Sequence, residues 1–186
     1  MLFEKGNFYH LYNRGCNKDA IFLHETDYND LIKRIQSSKH LDYLKILSYC
    51  LMPNHYHFLV QQTSDIPVTQ WIGYIFNGYV QSFNKRNEHS GTLFEGRVRF
   101  KLITDTNYLI KTVIYIHLNP VIAGLVTKPE DWKYSNYPDW IGLTNSSLTD
   151  YKFINDTLDN KNEYKTMTSE ALEDKLLQKE IEKELE

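Results

Sequence analysis

The chain has 186 residues, of which 41% are hydrophobic and 24% charged, so we expect one packed domain with an appendage. Cys16 and Cys50 have no paired spacing, and no signal-peptide core or apolar run of about 18 residues is present, which predicts a cytoplasmic protein without disulfides or a membrane span. The net charge of −3 at first argues against a nucleic-acid partner, but residues 161–186 carry the whole acidic surplus and leave the first 160 residues neutral.

The first part of the chain predicts a strand, a helix and a hairpin. Phe8 to Asn13 has the composition of a strand, and Thr26 can cap a helix whose apolar residues recur at helical spacing. Lys45 to Met52 and His55 to Gln61 predict two more strands. The turn between them, Pro53-Asn54, is short enough to make these strands an antiparallel hairpin.

Two helices and a strand follow. Pro67 opens a helix with a broad apolar stripe that runs to about residue 87. Arg97 to Ile103 alternates between basic and apolar residues, which predicts a strand. Asp105 can cap a third helix, which should end near Asn119 because Pro120 disfavours helical geometry in the residue before it.

This order of elements predicts an α+β fold. Two strand-helix-strand halves indicate a ferredoxin-like antiparallel sheet with helices on one face, and the third helix is extra and can lie across the sheet. We expect residues 1–140 to form the main domain, with an aromatic segment that packs back on the body. Residues 141–186 should be a C-terminal extension, partly helical or disordered, with a solvated or partner-binding helix from Ser169 that includes Leu172, Leu176 and Leu185.

A histidine pair is the sharpest local feature. His55 and His57 are two residues apart on a predicted strand, so both project from the same face of the sheet. Two imidazoles side by side can serve as metal ligands. The alternative is a pair of partly exposed strand histidines without a role.

The third helix carries a second feature. At helical spacing its polar flank holds Tyr108, Thr112, Tyr115 and Asn119, and residues four apart such as Tyr115 and Asn119 are neighbours. The Asn119 oxygen could complete a metal site begun by the histidines, with Tyr115 beside it. The alternative is a solvated tyrosine and an asparagine that merely ends the helix.

Together these features suit one reaction. A phenol has a pKa of about 10 and is a weak nucleophile at neutral pH. A divalent cation beside it can stabilise the charge that develops when the phenol attacks a phosphodiester. The tyrosine would then displace one strand and stay covalently bound to the phosphate.

The chain resembles the HUH-superfamily single-tyrosine transposases, in particular the branch of REP-associated tyrosine transposases. The resemblance depends on Leu51 to His57 and on Tyr115 to Val126, and Gly91 to Arg97 and Asp131 to Ser135 are similar to the family as well. It covers roughly residues 5–140.

The resemblance implies a transposase-like, metal-dependent endonuclease and strand transferase that acts on single-stranded DNA through a 5′-phosphotyrosine intermediate. Tyr115 would be the catalytic nucleophile, and His55, His57 and Asn119 would hold Mg²⁺ or Mn²⁺. The implied substrate is hairpin-forming repetitive extragenic DNA, bound by a monomer or a homodimer. Many relatives carry Arg where this chain has Ile122, which puts one phosphate contact in doubt. The alternatives are a hairpin-binding protein that no longer cuts and a metal-dependent phosphohydrolase that uses water.

Basic residues are the candidate DNA contacts. We expect a basic strand face made by Arg97, Arg99 and Lys101, with Arg14, Lys85 and Arg86 near it. The alternative is an ordinary solvated face.

Overall fold

The computed structural model describes residues 3–158 and 160–174. Four strands and six helices follow in the order β1 (Phe8–Arg14), α1 (Glu25–Gln36), β2 (Leu44–Met52), β3 (His55–Gln62), α2 (Val68–Arg86), β4 (Arg99–Ile103), α3 (Thr106–Ile122), α4 (Tyr137–Trp140), α5 (Tyr151–Thr157) and α6 (Lys161–Glu173). None of the helices within this described part is long and apolar enough to cross a membrane.

The four strands form one antiparallel sheet in the order β2-β3-β1-β4. This order, with α1 and α2 as connections, confirms the predicted ferredoxin-like fold. Strands β1 and β3 are central, and their register places His57 opposite Tyr12 and His10 opposite Leu59. On its other side, His10 is paired with Lys101 of β4.

Each face of the sheet is covered by its own hydrophobic core. Helices α1 and α2 pack on one face, where side chains such as Leu11 and Phe58 are fully buried. Helix α3 and the C-terminal helices pack on the other face, against residues such as Leu59. Because successive side chains of a strand alternate between faces, His10 and His57 point toward the α3 side. Both faces of the central strands are therefore largely buried, and Tyr12 and Arg14 of β1 are half-buried.

Helix α3 continues through Pro120, so the predicted end near Asn119 is wrong. Asp105 caps the helix as predicted, because its carboxylate accepts a hydrogen bond from the Tyr108 amide. Proline removes only one amide donor, and the helix ends two residues later at Ile122. Gly124, just beyond the capping residue, adopts a positive φ of 69°. Asn119 therefore lies inside the helix, on a fixed face.

Helix α1 begins two residues earlier than a cap at Thr26 would place it. His24 is the capping residue, and the Asp27 carboxylate accepts hydrogen bonds from the amides of Leu23 and His24. This side chain satisfies two unpaired amides at once, which explains why it decides the start of the helix. Asp27 is fully buried and is also paired with Arg86 of α2 at 2.8 Å.

The chain after α3 packs back on the sheet, as the aromatic segment predicts. The Trp140 indole donates to the Leu47 carbonyl, and the Leu51 amide donates to the Tyr134 carbonyl. Helix α6 begins at Lys161, so the predicted start at Ser169 is wrong, and it is not solvated on all sides because Tyr164 and Thr168 are buried. Leu176 and Leu185 lie outside the described residues. A boundary at residue 140 stays a prediction.

Candidate active site

The two histidines lie beneath α3 and are not partly exposed. His55 is the first residue of β3 and is 8% exposed, and His57 is 3% exposed. Their ring centroids are 5.1 Å apart, which confirms that the two side chains share one face. The alternative of two partly exposed strand histidines is therefore wrong.

Each histidine makes a hydrogen bond through Nδ1. His55 Nδ1 lies 2.7 Å from Asn54 Oδ1, and His57 Nδ1 lies 2.9 Å from His10 Nε2. His55 Nε2 is 3.4 Å from Asn119 Oδ1. His57 Nε2 is buried and has no hydrogen-bond partner among residues 3–158 and 160–174.

The imidazoles at this site are held in their neutral form. Burial lowers the pKa of His10 to about 3 and the pKa of His55 to about 4, and it lowers the pKa of His57 well below 6.5. At neutral pH each ring therefore keeps one nitrogen lone pair, which is the form that binds a metal.

Helix α3 brings Tyr115 and Asn119 to the histidines. The Tyr115 ring centroid is 5.4 Å from that of His57 and 5.8 Å from that of His10, and Tyr115 is only 7% exposed. The alternative of a solvated tyrosine is therefore wrong. The Asn119 side-chain amide donates to the Tyr115 carbonyl at 2.8 Å, and this bond turns Asn119 Oδ1 toward His55.

These donor atoms fit a divalent cation. Asn119 Oδ1 can only accept, and it faces the Nε2 atom of the neutral His55, while His57 Nε2 is buried without a partner in the described part of the chain. A cation would satisfy all three atoms. Among the described residues no group of three His, Cys, Asp or Glu could hold a metal. A metal here would consequently depend on two imidazoles and one amide oxygen.

Three further residues at the site were missed by the sequence analysis: His10, Tyr12 and Asn54. The Tyr12 ring stacks 4.9 Å from His10 and 6.0 Å from His57, and it lines a small pocket with both histidines of β3. The alternation of His10 and Tyr12 along β1 placed them on one face. Only the register with β3 shows that this face is the one that carries His57.

Two of the predicted DNA contacts line the same pocket. Arg14 and Arg99 lie beside Tyr12 and the histidines, and Glu95 pairs with Arg14 and is 3.9 Å from Arg99. Glu95 therefore offsets part of the positive charge. Lys101 is two residues after Arg99 in β4. Its Nζ contacts the Tyr108 hydroxyl and lies 4.5 Å from the centre of the Tyr108 ring.

The other three basic residues are placed elsewhere. Arg97 precedes β4, which begins only at Arg99, so the predicted strand is two residues too long at this end. Lys85 and Arg86 are in the last turn of α2, which packs on the opposite face of the sheet. Arg86 is paired there with Asp27 and Asp30. Contacts of these residues with DNA stay predictions.

The chain belongs to the family of IS200-like transposases, whose profile matches residues 5–118. Its fold is similar to that of a REP-associated tyrosine transposase solved in complex with a REP hairpin, with a TM-score of 0.61 and 19% identity over 80% of this chain and 93% of that chain. A crystal structure from Deinococcus radiodurans, provisionally assigned as a transposase, gives a TM-score of 0.43 and 13% identity over 60% of this chain and 91% of that chain. No curated protein sequence matches significantly.

Proposed function

We propose that this transposase-family protein is a metal-dependent enzyme that nicks and rejoins single-stranded DNA, with Tyr115 as the nucleophile. One observation carries the proposal: α3 holds Tyr115 against His57 while Asn119, one turn later, presents its oxygen to His55. A pure DNA-binding protein has no need of a buried phenol, two imidazoles and an amide oxygen at one place.

The reaction would conserve the phosphodiester bond energy. The Tyr115 oxygen attacks the phosphorus and forms a new O–P bond, and the bond from phosphorus to the 3′ oxygen breaks. The proton of the phenol is transferred overall to that 3′ oxygen, which leaves as a hydroxyl. The 5′-phosphate stays on the tyrosine, and attack by a 3′ hydroxyl reverses the step and rejoins DNA.

His55, His57 and Asn119 would hold the cation. When bound, it supplies Lewis-acid stabilisation of the negative charge that builds up on the phosphate oxygens. Two imidazole ligands favour Mn²⁺ or another transition metal over Mg²⁺, which prefers oxygen ligands. The protein contributes the neutral rings, since burial keeps the pKa of both histidines below neutrality.

The proposed partner is single-stranded DNA next to a hairpin, bound by a monomer or a homodimer. The REP hairpin bound by the structurally similar transposase supports this partner. The pocket at the histidines has two guanidinium groups, Arg14 and Arg99, that can contact phosphates, and an aromatic ring, Tyr12, on which a base can stack.

A covalent-adduct assay tests the function. Protein and Mn²⁺ are incubated with a labelled hairpin that has a single-stranded flank, and the products are separated under denaturing conditions. We expect a labelled protein band that depends on Mn²⁺ and disappears with a chelator. Binding without an adduct would instead indicate a hairpin-binding protein, and cleaved DNA without an adduct would indicate a hydrolase that uses water.

A further inference from the structure

Both histidines of the candidate site have Nδ1 bound to a neighbouring side chain and Nε2 left toward the site. The partner of His55 is Asn54, and the partner of His57 is His10. A neutral imidazole carries one proton, so the direction of these two hydrogen bonds decides which nitrogen keeps a lone pair.

The direction of the His55 bond follows from Asn54. The Asn54 side-chain amide donates to the Lys18 carbonyl at 3.2 Å, which turns its oxygen toward His55. That oxygen can only accept, and its 2.7 Å contact with Nδ1 is much shorter than the 3.4 Å contact of Asn119 Oδ1 with Nε2, so the single proton of the neutral ring lies on His55 Nδ1. His55 Nε2 then carries the lone pair.

The direction of the His57 bond follows from burial. If His10 donated, the proton of His57 would be on Nε2, which is buried and has no acceptor in the described part of the chain. An unpaired buried N–H costs about 1–3 kcal/mol and is rare in proteins. If His57 Nδ1 donates to His10 Nε2, this cost is avoided and His57 Nε2 carries a lone pair.

We infer that Asn54 and His10 are positioning residues that fix the Nδ1–H tautomers of His55 and His57 and thereby present both Nε2 lone pairs to the metal. This role rests on the proposed function, which supplies the metal. Metal-bound histidines in proteins nearly always donate their other ring N–H to a hydrogen-bond acceptor, which fixes the ring and raises its basicity. Neither residue would contact the DNA phosphate that reacts.

The tautomers can be read directly in the metal-free protein. Two-bond ¹H–¹⁵N correlation spectra distinguish a protonated ring nitrogen from one that carries a lone pair. We expect His55 and His57 to be protonated at Nδ1. His117 is an internal reference with the opposite tautomer, since its Nε2 lies 2.9 Å from Asn136 Oδ1, and the Asn136 amide nitrogen donates to the Leu47 carbonyl. A spectrum with His57 protonated at Nε2 would overturn the inference.

Variants then connect the tautomer to metal affinity. His10→Leu removes the acceptor, and we expect Mn²⁺ binding by calorimetry to weaken by roughly 10–100-fold. His10→Gln keeps an acceptor oxygen and should recover most of the affinity. Asn54→Ala should act like His10→Leu. Its matched control is Asn84→Ala, which removes the same kind of contact, 2.9 Å to the exposed His89 at Nδ1, outside the site, and should leave the affinity unchanged.

The outcomes separate this inference from the proposed function. Wild-type affinity in a folded His10→Leu protein would overturn the role of His10 and leave the metal site standing. A wild-type protein that binds no Mn²⁺ would overturn the metal site and with it the role given to both residues. If His10→Leu does not fold, the tautomers seen in the wild-type spectrum and the Mn²⁺ affinity of His10→Gln still test the role of His10.

Discussion

At the scale of single residues, the position of Tyr115 separates it from the other tyrosines near the site. Tyr115 is buried against His57, whereas Tyr108 is 37% exposed and is held by Lys101. Tyr12 lies in the pocket but on β1, where its ring stacks on His10. Only Tyr115 has an asparagine oxygen one turn later on the same helix.

Tyr115→Phe should therefore abolish the covalent DNA adduct and bind hairpin DNA about as well as the wild type. The change deletes one hydroxyl and keeps the ring, so the packing of α3 is preserved. Tyr108→Phe, on the same helix, is the matched control and should form the adduct normally. Mass spectrometry of the tryptic peptide that carries the nucleotide identifies the modified tyrosine. A nucleotide found on Tyr108 or Tyr12 would refute the assignment.

Because the site histidines are buried, removing one of them should affect the stability of the protein as well as DNA cleavage. His57→Ala should lose metal-dependent cleavage and also lower the free energy of unfolding by about 1–3 kcal/mol, because it leaves a buried gap and takes away the partner of His10. The exposed His89→Ala should change neither quantity. Cleavage at limiting Mn²⁺ and urea unfolding are the two measurements. Equal cleavage by wild type and His57→Ala would rule out the metal site.

At the scale of elements, the basic residues Arg99 of β4 and Lys85 of α2 lie on opposite sides of the sheet. Arg99 is paired with Tyr12 in the register and lines the pocket, with 54% of its side chain exposed. Lys85 lies at the end of α2, on the opposite face of the sheet. The two residues carry the same charge, so they make a matched pair for testing which face the DNA contacts.

Arg99→Glu should weaken DNA binding and flatten its salt dependence, since one phosphate contact to a single strand contributes about 0.7 to the slope. Lys85→Glu should leave that slope nearly unchanged. Affinity is measured by fluorescence anisotropy at several salt concentrations. The opposite ranking, with Lys85→Glu the more damaging variant, would move the DNA to the α2 face.

Helix α6 is tied to the tyrosine-bearing helix by a buried polar contact. The Tyr164 hydroxyl lies 2.6 Å from His117 Nδ1 in α3, and Tyr164 is fully buried against Trp140. The sequence predicts a solvated or partner-binding terminal helix, whereas one side of α6 is buried in the protein through Tyr164 and Thr168. With this contact, the stability of α3 depends on the C-terminal helix.

Tyr164→Ala should cost about 3–5 kcal/mol of unfolding free energy, as expected for loss of a large buried aromatic side chain. Tyr164→Phe keeps the ring and should cost only about 0.5–1.5 kcal/mol for the lost hydrogen bond. Denaturant unfolding of the two variants separates packing from hydrogen bonding. If both variants were as stable as the wild type, α6 would not be packed on α3 in solution.

At the scale of the whole molecule, local patterns predicted the fold but only part of the site. The spacing of His55 and His57 and the helical spacing of Tyr115 and Asn119 are properties of single elements, so they could be predicted. The contact of His10 with His57 depends on how β1 is aligned with β3, and shifting the alignment by one residue would turn His10 to the other face. The ion pair of Arg86 with Asp27 likewise depends on how two helices pack.

The buried histidines also make the stability of the whole chain depend on pH. Burial lowers the pKa of His117 to about 4, and it lowers the pKa values of the three site histidines, His10, His55 and His57, in the same direction. The unfolded chain takes up these protons near pH 6.5, while the folded chain does not. The free energy of unfolding is therefore highest above about pH 6.5, and it decreases as pH falls from there toward about 4.

We expect the unfolding free energy of the metal-free protein to fall between pH 7 and pH 5, with each such histidine contributing about 1.4 kcal/mol per pH unit below 6.5. His117→Gln should reduce that slope by the contribution of one proton, about 1.4 kcal/mol per pH unit, whatever it does to the stability at pH 7. His89→Gln, at an exposed position, is the control and should leave the slope as it is. Urea unfolding at half-unit pH steps in the presence of a chelator gives the slope, because the chelator removes the competition of metal with protons. A slope that is the same for His117→Gln and the wild type would mean that His117 takes up its proton in the folded state, and the buried contact with Tyr164 would then have to open near neutral pH.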